Sequence, residues 1–285
     1  MNKDPLINPI LKWVGGKRQL LDEIMPFLIN KDITTYVEPF FGGGAVLFEL
    51  QPEKAIINDF NSELMNVYKV IKNHPLELIE QLKIHEMNNK EIGSSYFYDI
   101  RNLDRSENYN NISNVEKAAR IIYLNKTCYN GLYRVNKNGY FNTPYGKYKN
   151  PDIVNEDRIK AISNYFNEND IKIMTGDYKE VLNDLKEGTF VYFDPPYMPI
   201  STSSSFTSYT QDGFTYEQQI ELRNECIKLH NQGINFLLSN SYCDEILDLY
   251  SDTSIFNIKR VKAKRAINSK GNKRGKIDEV LIYND

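Results

Sequence analysis

The chain contains no apolar run of about 18 residues, the length that a membrane-crossing helix needs. Its first residues also lack an apolar signal segment, because Asp4, Pro5 and Lys12 interrupt them. Cysteine is scarce. Cys128, Cys226 and Cys243 stand far apart, without the paired spacing of a disulfide framework or a zinc site. A cytoplasmic protein with no membrane span and no metal is therefore expected. Internal repeats are absent, and Trp13 is the single tryptophan. Acid is missing from two long stretches of an otherwise acidic chain of net charge −3. From Lys117 to Pro151 the charges are Lys117, Arg120, Lys126, Arg134, Lys137, Lys147 and Lys149. From Thr253 to Ile277 they are Lys259, Arg260, Lys262, Lys264, Arg265, Lys270, Lys273, Arg274 and Lys276. Each stretch alone reads equally well as a solvated surface. Two together suggest a positive face on a negative body, and hence a polyanionic partner.

What is present is an alternation of strands and helices. Thr35–Glu38 reads as a strand, followed by a glycine turn at 42–44 and an apolar helix through Ala45, Val46, Leu47 and Leu50. A second strand runs from Lys54 to Asp59, and Leu64, Val67, Tyr68 and Ile71 recur at helical spacing after it. Residues 74–170 break the alternation: they are rich in helix formers, Asn and Tyr, with a helix around Val115–Leu124 and an irregular stretch through Lys149. The alternation resumes with strands at Ile171–Thr175, Thr189–Asp194 and Ile234–Ser239. Helices are expected at Tyr178–Leu185, Glu217–Asn231 and Ser241–Tyr250. Ile255–Ala263 and Glu279–Tyr283 look like a closing pair of strands around a polar loop at Ser269–Gly275. The expected fold class is α/β, a doubly wound, Rossmann-like sheet, with an inserted, mainly helical subdomain. Residues 1–73 and 171–285 would form one domain and 74–170 the insertion. Such sheets bind ligands at the carboxyl ends of their strands, where Glu38, Asp59, Asp177 and Asp194 fall.

Three strings carry chemistry. In Glu38-Pro39-Phe40-Phe41-Gly42-Gly43-Gly44, glycines at a strand-to-helix turn let backbone approach a ligand, and Asp59 at the next strand end suits ribose hydroxyls. Leu47 stands where a dinucleotide fingerprint has its third glycine, so a cofactor without pyrophosphate fits better. A tight turn alone explains the glycines as well. In Asp194-Pro195-Pro196-Tyr197, the prolines stiffen a turn directly after an apolar strand. A carboxylate, a carbonyl without its own N–H and an aromatic ring are thereby held together, a set suited to a planar amino group. An ordinary proline turn is the plainer alternative. The third string, Lys12-Trp13-Val14-Gly15-Gly16-Lys17, is either a helix start or an aromatic and a cation wrapped around a cofactor.

In this order the strings resemble the Dam-type DNA adenine methyltransferases. Inside the insertion, Cys128–Arg134 and Gly139–Tyr148 look like that family's DNA-reading hairpin, about 128–149, and Phe206-Thr207-x-Tyr209 resembles its post-catalytic loop. The resemblance covers nearly the whole chain and implies a fold of the S-adenosylmethionine-dependent methyltransferase type. Trp13, Lys17, Phe40, Gly42, Asp59, Asp177 and Asp194 would face S-adenosylmethionine. Asp194, Pro195 and Tyr197 would be catalytic, the first two accepting from the target amino group and the third stacking on the base. Lys12, Tyr129, Asn130, Leu132, Arg134, Pro144 and Tyr148 would contact double-stranded DNA, with Arg134 reading a guanine. The implied target is adenine N6 in GATC, reached by base flipping, and a place in a restriction-modification system is compatible with it. Methyl transfer to cytosine N4, RNA or a protein glutamine uses the same acceptor chemistry, and a catalytically silent DNA-binding module is the alternative from another class. No Pro-Cys pair exists to attack a cytosine ring, so the cysteines read as structural.

Overall fold

The computed structural model describes residues 3–29, 31–199, 214–264 and 276–284. Its strands are β1 (Thr35–Glu38), β2 (Lys54–Ile57), β3 (Asp170–Ile173), β4 (Thr189–Phe193), β5 (Asn235–Ser241), β6 (Asn257–Lys264) and β7 (Lys276–Tyr283). They form one mixed sheet in the order β3-β2-β1-β4-β5-β7-β6. The helices are α1 (Leu21–Ile24), α2 (Pro26–Ile29), α3 (Ala45–Leu50), α4 (Ser62–Asn73), α5 (Pro75–Ile92), α6 (Ser94–Asn102), α7 (Asn114–Thr127), α8 (Glu156–Glu168), α9 (Tyr216–Asn231) and α10 (Asp244–Leu249). This is a mixed α/β architecture of the kind S-adenosylmethionine-dependent methyltransferases use. Among the described residues no helix is long and apolar enough to cross a membrane. By packing, the chain falls into two compact units: Met1–Gly16, Gly42–Glu53 and Asn58–Gly176, and Lys17–Phe41, Lys54–Ile57 and Asp177–Asp285.

In the second unit, β4 is the centre of the sheet. All of its residues are buried, as expected of the unbroken apolar run Thr-Phe-Val-Tyr-Phe in a parallel setting. Val37 of β1 lies opposite Ile56 of β2 and Val191 of β4, while Val191 also pairs with Phe236 of β5. The chain closes with β7, antiparallel to both β5 and β6. Helix α9 starts with a capping box, in which Thr215 and Gln218 satisfy each other's backbone N–H.

Two expected boundaries move for local reasons. The helix expected over Tyr178–Leu185 is a single 3₁₀ turn, Tyr178–Leu182. Extended backbone at Asn183 and left-handed backbone at Asp184 (φ +59°) stop it. The helix expected from Ser241 starts at Asp244 because Ser241 still pairs with Glu279 in the sheet. The strings Phe206–Tyr209 and Ser269–Gly275 lie outside the described residues.

In the first unit, α4 packs on α7 and α8, and α7 also packs on α5. Ser113 and Glu116 form a capping box at the start of α7. After α7 the chain makes an irregular hairpin, with isolated antiparallel bridges joining Cys128 to Tyr145 and Val135 to Phe141. A buried polar cluster supports it. Arg120, 1% exposed, lies 2.8 Å from Asp104, which also accepts from the Phe141 amide at 2.7 Å and from Arg105 at 2.7 Å. Gly146 is obligatory at the hairpin base, since a Cβ there would meet the Cys128 carbonyl oxygen at 2.8 Å.

His85 gives this unit an acid sensitivity. Its ring stacks on Tyr123 at 4.9 Å, its Nδ1 lies 2.7 Å from the Tyr96 hydroxyl, and burial pushes its pKa down from 6.5 to about 4. The unfolded chain therefore binds a proton that the folded chain refuses between those values, and stability falls as pH drops through that window. At pH 5 the loss attributable to His85 is about 2 kcal/mol. Urea unfolding of the parent and His85→Phe at pH 7 and pH 5 measures it: the parent should lose more on acidification than the variant, and equal losses would refute the assignment.

Candidate active site

In the first unit the glycine turn, Trp13 and Asp59 come together. Gly42 adopts φ +51°, and a Cβ on it would stand 3.1 Å from Trp13 Cδ1; one on Gly43 would stand 3.2 Å from Trp13 Cβ. The indole thus lies directly on the glycine backbone, where any Cβ would be in tight contact with it. Its ring stacks on Tyr133, 4.8 Å between centroids. Asp59 follows β2 and accepts from the Gly42 amide at 2.9 Å through Oδ2 and from the Asn61 amide at 2.9 Å through Oδ1. Burial raises its pKa, and these two amide bonds pull it partly back. Asn58 ties the same strand end to the Gly176 carbonyl at 3.0 Å.

Lys12 is exposed, and its backbone is held on both sides by Asn125: the Lys12 amide donates to Oδ1 at 2.9 Å and Nδ2 donates to the Lys12 carbonyl at 2.9 Å. Asn125 also donates to the Gly131 carbonyl at 3.1 Å, which joins the Lys12-Trp13 segment to the hairpin. Tyr129, Asn130, Pro144 and Tyr148 sit together at the hairpin base. The Tyr129 amide donates to the Pro144 carbonyl at 2.8 Å and the Asn130 amide to the Tyr148 hydroxyl at 3.0 Å. All four are exposed, Leu132 is half-buried, and the Leu132 carbonyl accepts from Thr143 at 2.6 Å. Arg134 is exposed and held by Asn142, with Nε donating to Oδ1 at 2.6 Å.

In the second unit, Asp194 ends β4 and meets Lys17 and Tyr197. Lys17 Nζ lies 2.6 Å from Asp194 Oδ1 and 4.6 Å from the Tyr197 ring centroid. Both partners are largely out of water, with side-chain exposures of 8% for Lys17 and 20% for Asp194. Tyr197 donates its hydroxyl to Glu279 Oε2 at 2.7 Å. Burial, then the charges of Asp194 and Glu279, hold the phenol well above its ordinary pKa, so it stays a donor. Pro195 is buried. Phe40 stacks on Tyr178 at 5.0 Å and meets Phe214 edge-on at 5.8 Å. Asp177 caps the 3₁₀ turn, accepting from the Lys179 amide at 2.9 Å.

Sequence reasoning missed Tyr133, Tyr178, Phe214 and Glu279 beside these groups, and Gln219, Asn240 and Ser241 behind the Asp194 turn. Ser239-Asn240-Ser241 did carry a signal: three polar residues at the carboxyl end of an apolar strand. Among the described residues no group of three or more His, Cys, Asp or Glu is placed to hold a metal ion. Burial raises the Cys128 thiol pKa to about 12, which makes it a poor nucleophile.

The family model of the D12 class N6 adenine-specific DNA methyltransferases matches residues 13–267. The Type II methyltransferase M1.LlaDCHI of Lactococcus lactis subsp. cremoris is 48% identical, over 98% of this chain and 95% of its own. The Type II methyltransferase M.MjaIII of Methanocaldococcus jannaschii is 45% identical, over 98% and 99%. The DNA adenine methylase of Escherichia coli (strain K12) is 32% identical, over 95% and 93%. The chain therefore belongs to the D12 class of N6 adenine-specific DNA methyltransferases, and is an adenine-specific DNA methyltransferase.

Proposed function

We propose that this enzyme moves a methyl group from S-adenosylmethionine to the exocyclic amino nitrogen of adenine in GATC, on double-stranded DNA, with the target base flipped out of the stack. The observation that carries the reading is the Lys17–Asp194–Tyr197 arrangement. A carboxylate at the end of a buried strand and the face of a tyrosine ring already hold a nitrogen donor, 2.6 Å from the one and 4.6 Å from the other. A target amino group needs that same pairing of acceptor and ring.

The adenine amino group is a weak nucleophile because its lone pair is delocalised into the ring. Asp194 and the Pro195 carbonyl accept its two N–H bonds, which favours a pyramidal nitrogen with a localised pair and stabilises the positive charge that develops on transfer. Tyr197 stacks on the base and orients it, a contribution of positioning.

The Gly42–Trp13 contact and Asp59 fit the cofactor. A side chain at Gly42 would fill the space against the indole, and each Asp59 oxygen that accepts one amide retains a lone pair for a ribose hydroxyl. Phe40, with Tyr178 beside Asp177, offers aromatic surface for an adenine ring. S-adenosylmethionine, when bound, supplies the electrophilic methyl group. Lys12, Tyr129, Asn130, Leu132, Pro144 and Tyr148 contact the duplex and Arg134 reads a guanine. In this reading residues 74–170 form the target-recognition subdomain, and 1–73 with 171–285 the catalytic domain. Relatives named Type II methyltransferases support a modification role in a restriction-modification system. The same reading assigns the protein to the cytoplasm, with its DNA.

The test supplies the pure protein with methyl-deuterated S-adenosylmethionine and unmethylated DNA, then maps the label by mass spectrometry and sequencing. The expected product is deuteromethyl on adenine N6 within GATC. Label on adenine in another sequence would overturn the GATC assignment, and unlabelled methyl or none would overturn the cofactor.

A further inference from the structure

The Asp194 turn is held from behind by three buried side chains that no part of the proposed chemistry uses. Gln219 of α9 and Asn240 of β5 are fully buried, and Ser241 is 4% exposed. Gln219 Nε2 donates to the Pro196 carbonyl at 3.0 Å, and Asn240 Nδ2 donates to Gln219 Oε1 at 3.0 Å. Asn240 Oδ1 accepts from the Met198 amide at 3.1 Å and from the Ser241 amide at 2.8 Å. Ser241 Oγ closes the set by donating to the Met198 carbonyl at 2.7 Å.

The direction of this chain of bonds is fixed by its ends. The Pro196 carbonyl can only accept, so the Gln219 amide must face it with its NH₂. The Gln219 oxygen then requires a donor, so Asn240 must offer its NH₂ and turn its oxygen to the Met198 and Ser241 amides. Every member has one permitted orientation. A buried network satisfied throughout is rigid, and one reversed member leaves a buried polar group facing its like. The bonds grip the backbone on both sides of Tyr197, at Pro196 and at Met198.

We propose that Gln219, Asn240 and Ser241 are positioning residues for methyl transfer: they fix the backbone of Asp194-Pro195-Pro196-Tyr197 so that the acceptors and the stacking ring keep the spacing the target amino group requires. The proposal rests on reading Asp194 and the Pro195 carbonyl as that acceptor pair. Misplacing reacting groups by about 1 Å costs on the order of a hundredfold in rate, so the effect belongs in kcat.

Gln219→Glu tests it with a signature that packing alone does not produce. The carboxylate has the same shape but no donor for the Pro196 carbonyl, whereas the protonated acid donates, and burial favours the protonated form. At about pH 8 the variant should lose about ten- to a hundredfold in kcat, with KM for S-adenosylmethionine within about twofold of the parent. As pH falls towards about 6 the ratio of variant to parent kcat should rise. A pH-independent ratio, an unchanged kcat or a loss confined to KM would overturn the proposal. If Gln219→Glu does not fold, Ser241→Ala decides: a lower kcat at unchanged KM supports positioning, and parental kcat overturns it. Asp194→Ala, assayed alongside, separates the two levels. Turnover retained in that variant means the acceptor reading itself has failed, whereas an inactive Asp194→Ala beside a fully active Gln219→Glu means that only the positioning role has.

Discussion

Asp194→Ala should lower kcat for adenine methylation by roughly a thousandfold, the scale seen when a charge-stabilising group is removed from an active site. The same change should destabilise the protein for a separate reason. Lys17 Nζ sits 2.6 Å from Asp194 with its side chain only 8% exposed, so removing the carboxylate takes an ion-pair partner away from a largely buried ammonium. Breaking such a pair from one side costs about 3–5 kcal/mol, and the 20% exposure of Asp194 puts the expected loss near the lower figure. Lys17→Met combined with Asp194→Ala removes both charges. It should recover most of the lost stability and none of the lost turnover. Urea unfolding and single-turnover methylation of the parent, Asp194→Ala and the double variant measure the two effects independently. Near-parental kcat in folded Asp194→Ala would move the acceptor site elsewhere. Equal stability of Asp194→Ala and parent would show that Lys17 reaches water once its partner is gone.

Lys17 also shows where the sequence stopped being informative. Its place in Lys-Trp-x-Gly-Gly-Lys suggested a cofactor contact, and the string gave no sign of the ion pair that joins it to a residue far along the chain. Central strands were legible because burial on both faces demands unbroken apolar runs, as in β4, and a pattern of that kind is local. The glycine turn was legible for a similar reason: positive φ and close contact with Trp13 both favour glycine at Gly42. Tyr133 was invisible because what marks it is a stack on Trp13 formed only by tertiary packing. Gln219 was harder still. It follows Tyr216-Glu217-Gln218 in a polar helix start, and only the fold decides that it alone of these turns fully inward. Asn240 and Ser241 stood at an informative place, the end of an apolar strand, but their partners are backbone groups of another turn, which composition does not record. The 3₁₀ turn at Tyr178–Leu182 failed as a helix prediction because one left-handed residue, Asp184, outweighs several good helix formers.

Arg134→Ala is expected to relax sequence discrimination at a single position of the recognition site. The hairpin presents this side chain in the open, and Asn142 fixes it from one side by taking Nε at 2.6 Å and, more weakly, one terminal nitrogen at 3.4 Å through its carbonyl. Held this way, the outer edge of the guanidinium is a preformed fork, matched to the two acceptors on the major-groove edge of guanine. Asn142 itself follows Phe141 in the hairpin, whose amide is bound by Asp104, and Asp104 is paired with buried Arg120, so the fork stands on a braced support. Losing a bidentate base contact costs about 1–3 kcal/mol at the base concerned, roughly ten- to a hundredfold in relative kcat/KM. Losing a phosphate contact weakens all sequences about equally. The measurement compares parent and Arg134→Ala on GATC duplexes and on duplexes altered at one position at a time. Under the base-reading role the variant should discriminate less at one guanine and keep its preference elsewhere. A uniform loss across all duplexes, with the ratios between them preserved, would make Arg134 a backbone anchor and send the search for the guanine reader to other residues of the hairpin.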